Sequence, residues 1–216
     1  MVTFDGFNEL DSFVASAVIN RAPGATALIT TPTPLVTSLN GVEVHGQRPL
    51  EFVADADAVL IGSGIRTHDV VADDRLVSAL ALDPRRQLIG SQCSGALVLA
   101  RLGLVDGVPV CTDATSRPFV EACGVAVLDA PFHAEGAIAT AGGCLASQYL
   151  AAWGCAAPSA WRRPRRRCTT WRRSGRRRPP STASWPWWPP SARCPWRDQA
   201  PSCTSAIDVM RCRGTR

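Results

Sequence analysis

Residues 1 to 153 predict an α/β sandwich with a mostly parallel sheet, and three observations carry that prediction. Short β-rich runs such as Ala58-Val59-Leu60-Ile61 and Gln87-Leu88-Ile89-Gly90 alternate with amphipathic helical stretches, the pattern of strands covered by crossover helices. Each of these two runs leads into a loop of small residues, Gly62-Ser63-Gly64 and Ser91-Gln92-Cys93-Ser94-Gly95. The chain, 216 residues with 46% apolar content, is also long enough to bury a core without disulfide support.

Taken in order, Val2 to Phe4 reads as the tail of a first strand and Leu10 to Arg21 as the first helix. Ala25 to Thr30 is a second strand, and Val36 to Phe52, with a turn at Asn40-Gly41, is a β-hairpin beside the main sheet. Ala58 to Ile61 is a buried strand and Val70 to Leu82 a helix. Gln87 to Gly90 is a strand running into the Cys93 loop, after which Ala96 to Leu102 is helical. A strand near Val108 to Cys111, a helix near Arg117 to Ala122, short strands at Val125 to Leu128 and Ala137 to Thr140, and a helix from Cys144 to Trp153 complete the pattern. His133, in Pro131-Phe132-His133, reads as a surface-loop residue.

The net charge of +5 is an average over two unlike pieces. Residues 1 to 153 hold 8 Arg and 16 acids, a net of −8, while residues 154 to 216 hold 15 Arg and 2 acids, a net of +13. The second piece also crowds 9 of the 17 Pro and 6 of the 7 Trp into 63 residues without helical or strand period. Three readings of it compete: a nucleic-acid-binding tail of Arg and stacking Trp, a low-complexity linker, and a segment translated out of frame. The last is preferred, so residues 154 to 216 are expected to be an irregular, disordered tail, and nucleic acid is not the expected partner. No apolar run is long enough for a transmembrane helix, and the N-terminus lacks a secretory pattern. The 9 Cys form no CxxC pairs, which argues against a zinc ribbon and a disulfide framework, so no metal is expected and a reducing cytoplasm is the expected location.

The sharpest local feature is Leu88-Ile89-Gly90-Ser91-Gln92-Cys93-Ser94-Gly95-Ala96-Leu97. A buried strand, a tight turn and a helix of small residues have the form of a nucleophile elbow. The helix N-terminus would set backbone N–H groups beside the thiol and lower its pKa. The competing reading is that Cys93 is a small buried residue, and local sequence does not separate the two.

The run of motifs resembles the ThiJ/PfpI family of the class I glutamine-amidotransferase-like superfamily. The matching pieces are Phe4-Asp5-Gly6-Phe7-Asn8-Glu9-Leu10-Asp11, Ala58-Val59-Leu60-Ile61-Gly62-Ser63-Gly64, the Cys93 elbow with Leu102-Gly103-Leu104-Val105-Asp106-Gly107, and Ile138-Ala139-Thr140-Ala141-Gly142-Gly143. They occur in family order across residues 1 to 153. The resemblance implies a flavodoxin-like three-layer sandwich, here incomplete at the C-terminus, that forms a homodimer and uses no cofactor. The out-of-frame reading of the tail gains weight at the same point. Shifted codons across Arg167 to Arg177 permit Leu-His-Tyr-Val-Ala-Pro-Val-Gly-Glu-Lys, which is similar to the family's ending.

Carried over residue by residue, the resemblance makes Cys93 the nucleophile and Asp11 the carboxylate that bonds it, with Glu9 as the alternative. Both acids also suit the first turn of a helix. Gly62, Ser63 and Gly64 match the loop whose amides, with that of Ser94, would bind an oxyanion. Where many relatives carry His, this chain reads Cys111-Thr112-Asp113-Ala114, and Asp113 either orients substrate or caps the next turn. The expected function is a cysteine-dependent hydrolase or hydratase acting on a small carbonyl, amide or nitrile-like substrate. The alternative is a non-catalytic ligand-sensing domain of the same fold.

Overall fold

A computed structural model of the chain describes residues 1–156. Residues 154–156 of the Arg/Pro/Trp-rich tail continue a helix; the rest of it, with the readings of its frame and disorder and of an incomplete C-terminal edge, lies outside the described residues. The chain begins in the sheet: Val2 forms single parallel bridges to Thr30 on one side and Ile61 on the other. Then follow α1 (Glu9–Ile19), β1 (Thr30–Thr31), β2 (Leu35–Thr37), β3 (Glu43–His45), β4 (Arg48–Pro49) and a 3-10 turn at Leu50–Asp55. The second stretch comprises β5 (Ala58–Ile61), α2 (Thr67–Ala72), α3 (Asp74–Ala79), β6 (Leu88–Gln92), α4 (Gly95–Arg101) and α5 (Arg117–Ala122). β7 (Phe132–Glu135), β8 (Ile138–Ala141), a 3-10 turn at Cys144–Ala146 and α6 (Ser147–Ala156) complete it. None of the described helices is long and apolar enough to cross a membrane.

The main sheet runs β5-β6-β8-β7, parallel except for β7, and Val2 joins it to the parallel pair β1 and β4. Strand period splits its side chains between two cores. Val59, Ile61, Ile89 and Ile138 face a core shared with Val70 of α2, Val98 and Leu99 of α4 and Val120 of α5. Leu60, Ala139 and Ala141 face the other, shared with Ala15 of α1 and Leu150 and Ala151 of α6. β6 is buried at all five positions because both of its faces are covered. Small residues set the spacing: a Cβ added at Gly90 would lie 2.7 Å from Leu60 Cδ2 and 2.8 Å from Leu150 Cδ1. The result is the three-layer flavodoxin-like sandwich.

Several elements differ from the sequence expectation. The expected strand from Ala25 shrinks to Thr30–Thr31, because Ile29 N–H is taken by the Gln47 side chain at 2.8 Å rather than by a neighbouring strand. The helix expected over 70–82 starts at Thr67 and breaks at Asp73. The carboxylate of Asp73 accepts from Arg75 N and Leu76 N, so it caps a new helix. The strands expected near Val108 and Val125 reduce to one bridge between Val110 and Val127. The hairpin is shorter than expected, with β2 and β3 paired antiparallel and the chain from Leu50 turning into a 3-10 segment. His133 is a strand residue of β7 opposite Thr140, not a loop residue; edge strands with one exposed face carry too weak an apolar signal to be read.

Candidate active site

The site grows from the junction of β6 and α4. β6 ends at Gln92 and α4 begins at Gly95, so the chain must reverse within two residues. Cys93 makes that turn at φ 44°, the one non-glycine residue in the left-handed region among the described residues. A conformation of this kind costs about 1–3 kcal/mol and persists only where its surroundings enforce it. Here Cys93 N–H donates to Ala141 O at 2.8 Å, and Thr112 Oγ1 donates to Cys93 O at 2.8 Å. Gly95 lets α4 close onto β5, since a Cβ there would meet Gly62 O at 2.8 Å and Ile61 O at 2.9 Å.

Asp11 reaches the elbow from α1. Its carboxylate is fully buried, with Oδ1 3.7 Å from Cys93 Sγ. Ser63 Oγ donates to Asp11 Oδ2, Ser147 Oγ donates to Oδ1 at 3.4 Å, and Gln92 Nε2 donates to the Asp11 carbonyl at 3.0 Å. Burial raises the Asp11 carboxyl above its ordinary value, and the Ser63, Cys93 and Ser147 hydrogen bonds pull it part of the way back. The Cys93 thiol is pushed far up, first by burial and then by the Asp11 charge. The expected lowering of the thiol by α4 is therefore corrected: at rest burial and a neighbouring carboxylate outweigh the helix terminus. Two anions this close are not both stable, so Cys93 and Asp11 titrate as a coupled pair.

A second sulphur completes the cluster. Cys144, in the turn before α6, lies with Sγ 3.9 Å from Cys93 Sγ and accepts from Asn8 Nδ2 at 3.0 Å. Asp11, Cys93 and Cys144 present ligand atoms within 4.8 Å of one another. They are the described residues able to hold a metal ion, and a thiolate pair would favour a soft one. Cys144 also lines an open cleft of about 680 Å³ together with Asp113, Arg117, Gly142, Leu145 and Tyr149. Cys93 lies behind Cys144 and does not itself line this cleft.

The sequence pattern of the DJ-1/PfpI family matches residues 1–154. The chain belongs to that family. Among solved structures it is similar to a ThiJ/PfpI domain protein from Brachyspira murdochii, with TM-score 0.66 and 16% identity over 74% of this chain and 95% of that one. It is likewise similar to a ThiJ/PfpI family protein from Pseudomonas syringae, with TM-score 0.66 and 20% identity over 76% of this chain and 74% of that one. Schizosaccharomyces pombe DJ-1 gives TM-score 0.61 and 19% identity over 69% and 85% of the two chains. At such identities the likeness establishes the fold alone. No curated protein matches the sequence.

The remaining predicted residues of this DJ-1/PfpI chain divide cleanly. Glu9 stands apart from Cys93: it accepts from Ser38 Oγ, from Asn40 N at 3.3 Å and from Asn40 Nδ2 at 3.0 Å, pinning the hairpin turn. Those bonds hold its carboxyl below the usual range, opposite to Asp11. Gly62 N–H donates to Val2 O at 3.0 Å and Gly64 N–H to Ser94 Oγ at 3.2 Å, so neither amide stands open for an oxyanion. Gly64 instead serves close packing, since a Cβ there would lie 2.4 Å from Gly6 O. Ser94 Oγ also meets Thr67 Oγ1 at 2.7 Å and braces the loop. Ser63 acts through its side chain, on Asp11. Asp113 caps the turn ahead of α5, accepting from Thr115 N at 3.0 Å and Ser116 N at 2.9 Å, while also lining the cleft. Sequence reasoning missed Cys144, Thr112, Asn8 and Ser147. The signal for Cys144 was present in Gly142-Gly143-Cys144, a turn directly after a strand neighbouring β6.

Proposed function

We propose that this DJ-1/PfpI protein is a cysteine-dependent hydrolase or hydratase for a small carbonyl, amide or nitrile-like substrate, with Cys93 as nucleophile. One observation carries the reading: a thiol held at φ 44° on a strand-to-helix turn with its sulphur 3.7 Å from a buried carboxylate. Asp11 takes the Cys93 proton as sulphur bonds the electrophilic carbon, and returns it to the oxygen or nitrogen whose π bond has opened. Burial of both groups supports this exchange, because it keeps the shared proton from solvent. Substrate enters by the cleft that Asp113, Cys144 and Tyr149 line and reaches Cys93 past Cys144, whose sulphur lies 3.9 Å from that of Cys93.

The test is turnover of a panel of small aldehydes, primary amides and nitriles by the full chain and by Cys93→Ala. A substrate consumed by the first and not by the second is the expected result; equal consumption overturns the reading. A ligand-sensing role is the second reading, favoured by the committed amides of Gly62 and Gly64, and it predicts saturable binding without turnover. Self-association as a homodimer is supported by exposed Leu10, Phe13, Leu145 and Tyr149, which lie on the adjoining α1 and α6 segments. A cytoplasmic location is in keeping with the five free thiols among the described residues.

A further inference from the structure

We infer that Cys93 and Cys144 form a reversible redox pair, in which a hydroperoxide entering the cleft converts the two thiols into an intramolecular disulfide. The inference concerns oxidation and stands on the arrangement of the sulphurs, apart from the hydrolase reading. The two Sγ atoms are 3.9 Å apart, and a disulfide brings them to about 2.05 Å. The remaining approach falls within what a side-chain adjustment at Cys144 supplies, because Cys144 is half-buried in a short 3-10 turn rather than locked within a strand. Among the described residues, Cys111 and Cys155 are the other two cysteines with partial or full burial, and neither has a hydrogen-bonding sulphur contact to Cys93.

The two thiols have different surroundings, which sets the order of events. Cys144 lines the cleft, so a solute meets it first, while Cys93 sits behind it. The Asn8 amide donates a hydrogen bond to Cys144 Sγ at 3.0 Å, which holds that sulphur in place. In the first step Cys144 sulphur bonds the terminal oxygen of the hydroperoxide, the O–O bond breaks, and the alcohol or water that leaves carries away one proton. Cys144 is then a sulfenic acid. In the second step Cys93 passes its proton to Asp11 and attacks the Cys144 sulphur; the S–O bond breaks and the hydroxide leaves as water with that proton. Two thiols are oxidised by two electrons, one peroxide is reduced, and two oxygen products leave. Asp11, with a carboxylate oxygen within 4.8 Å of both sulphurs, serves the resolving step. The consequence is a masked nucleophile that dithiols restore, in place of irreversible over-oxidation.

Peptide mapping of the full chain after one equivalent of hydrogen peroxide and alkylation of the remaining thiols tests this. The expected result is a Cys93–Cys144 cross-linked peptide, lighter by two hydrogens than the sum of its thiol parts. It should dominate every other pairing of either cysteine and disappear on treatment with a dithiol. In Cys93→Ser, dimedone should trap a sulfenic acid on Cys144; in Cys144→Ser, Cys93 should remain a thiol under the same dose. Three results overturn the inference: both cysteines still alkylated, Cys93 carried to sulfinic acid with Cys144 intact, or Cys93 cross-linked equally to Cys111 or Cys155. The wild-type map decides the matter without depending on how any variant folds.

Discussion

Ser63→Ala is the sharpest probe of the shared proton, because it removes one hydroxyl and leaves the volume of a buried side chain nearly unchanged. Ser63 donates to Asp11 Oδ2, a bond that favours the charged carboxylate. A hydrogen bond to a charged group is worth about 1.5–3 kcal/mol. Its loss raises the Asp11 carboxyl further and shifts the proton equilibrium by about ten- to a hundredfold. The sign for Cys93 is opposite and less intuitive. Between the two groups there is one proton, and weakening the carboxylate form moves that proton from sulphur to Asp11. The thiolate fraction of Cys93 therefore rises by about ten- to a hundredfold, up to saturation. Alkylation of Cys93 by dilute iodoacetamide near neutral pH, read by peptide mass spectrometry against Cys111 as an internal reference, should accelerate in Ser63→Ala. Folding stability should fall by about 1.5–3 kcal/mol in the same variant when Asp11 is ionised. A Cys93 rate that is unchanged or slower would refute the coupling, whatever happens to stability.

Asp11→Asn should become more stable relative to wild type as pH rises. The folded state holds the Asp11 proton more tightly than the unfolded chain, so wild type loses stability from the unfolded value of about 3.9 up through the raised folded value, while Asn does not titrate; the gap between urea midpoints should open over that window and stay constant above it. Glu9→Gln should loosen the Asn40-Gly41 turn, seen as faster amide exchange in the hairpin, and leave Cys93 alkylation unchanged. Gly95→Ala sets a Cβ 2.8 Å from Gly62 O; overpacking of about 1–3 kcal/mol against a helix-propensity gain of about 1 kcal/mol predicts a lower Tm and an altered Cys93 rate. Leu150→Ala empties the seam between α6 and the sheet and should cost about 2–5 kcal/mol in a denaturant titration.

How far the sequence could be read depended on the range of the interactions that decide each feature. The strand at Ala58–Ile61, the helix at Arg117–Ala122 and the elbow around Cys93 were legible because pattern and turn are local. The break at Asp73 was legible in principle, since Asp is a strong helix cap, but the apolar period ran through it. The strands near Val108 and Val125 carried strand-like residues, yet only Val110 and Val127 find each other. Cys144 and Cys93 are separated by 51 residues and meet only because β6 pairs with β8 in a particular register. Periodicity carries no trace of such a meeting. The engagement of two loop amides was hidden for a related reason: Gly62-Ser63-Gly64 shows small residues, but that the Gly62 and Gly64 amides are spent depends on Val2 and Ser94, distant in sequence.

The choice between Glu9 and Asp11 shows most clearly what the fold adds. The two are two positions apart on α1, and at 3.6 residues per turn they point about 200° apart, so only one can face the sheet. Hydropathy would turn Leu10 and Phe13 inward and leave the acids in water. The helix does the reverse: Asp11, Ser12 and Ala15 are buried, while Leu10 and Phe13 are exposed. Burying an ionisable group costs stability, and burying it without an ion-pair partner among the described contacts costs more. What Asp11 meets inside is three side chains that hydrogen-bond it, one of them the thiol on the strained turn. Asp11 shares its inward face with Ala15, Val18 and Ile19, which pack into the core, so a carboxyl set among apolar side chains and aimed at a thiol spends stability on reactivity, as functional sites do. The phase of α1 that buries Asp11 is also the one that leaves Leu10 and Phe13 on its exposed side.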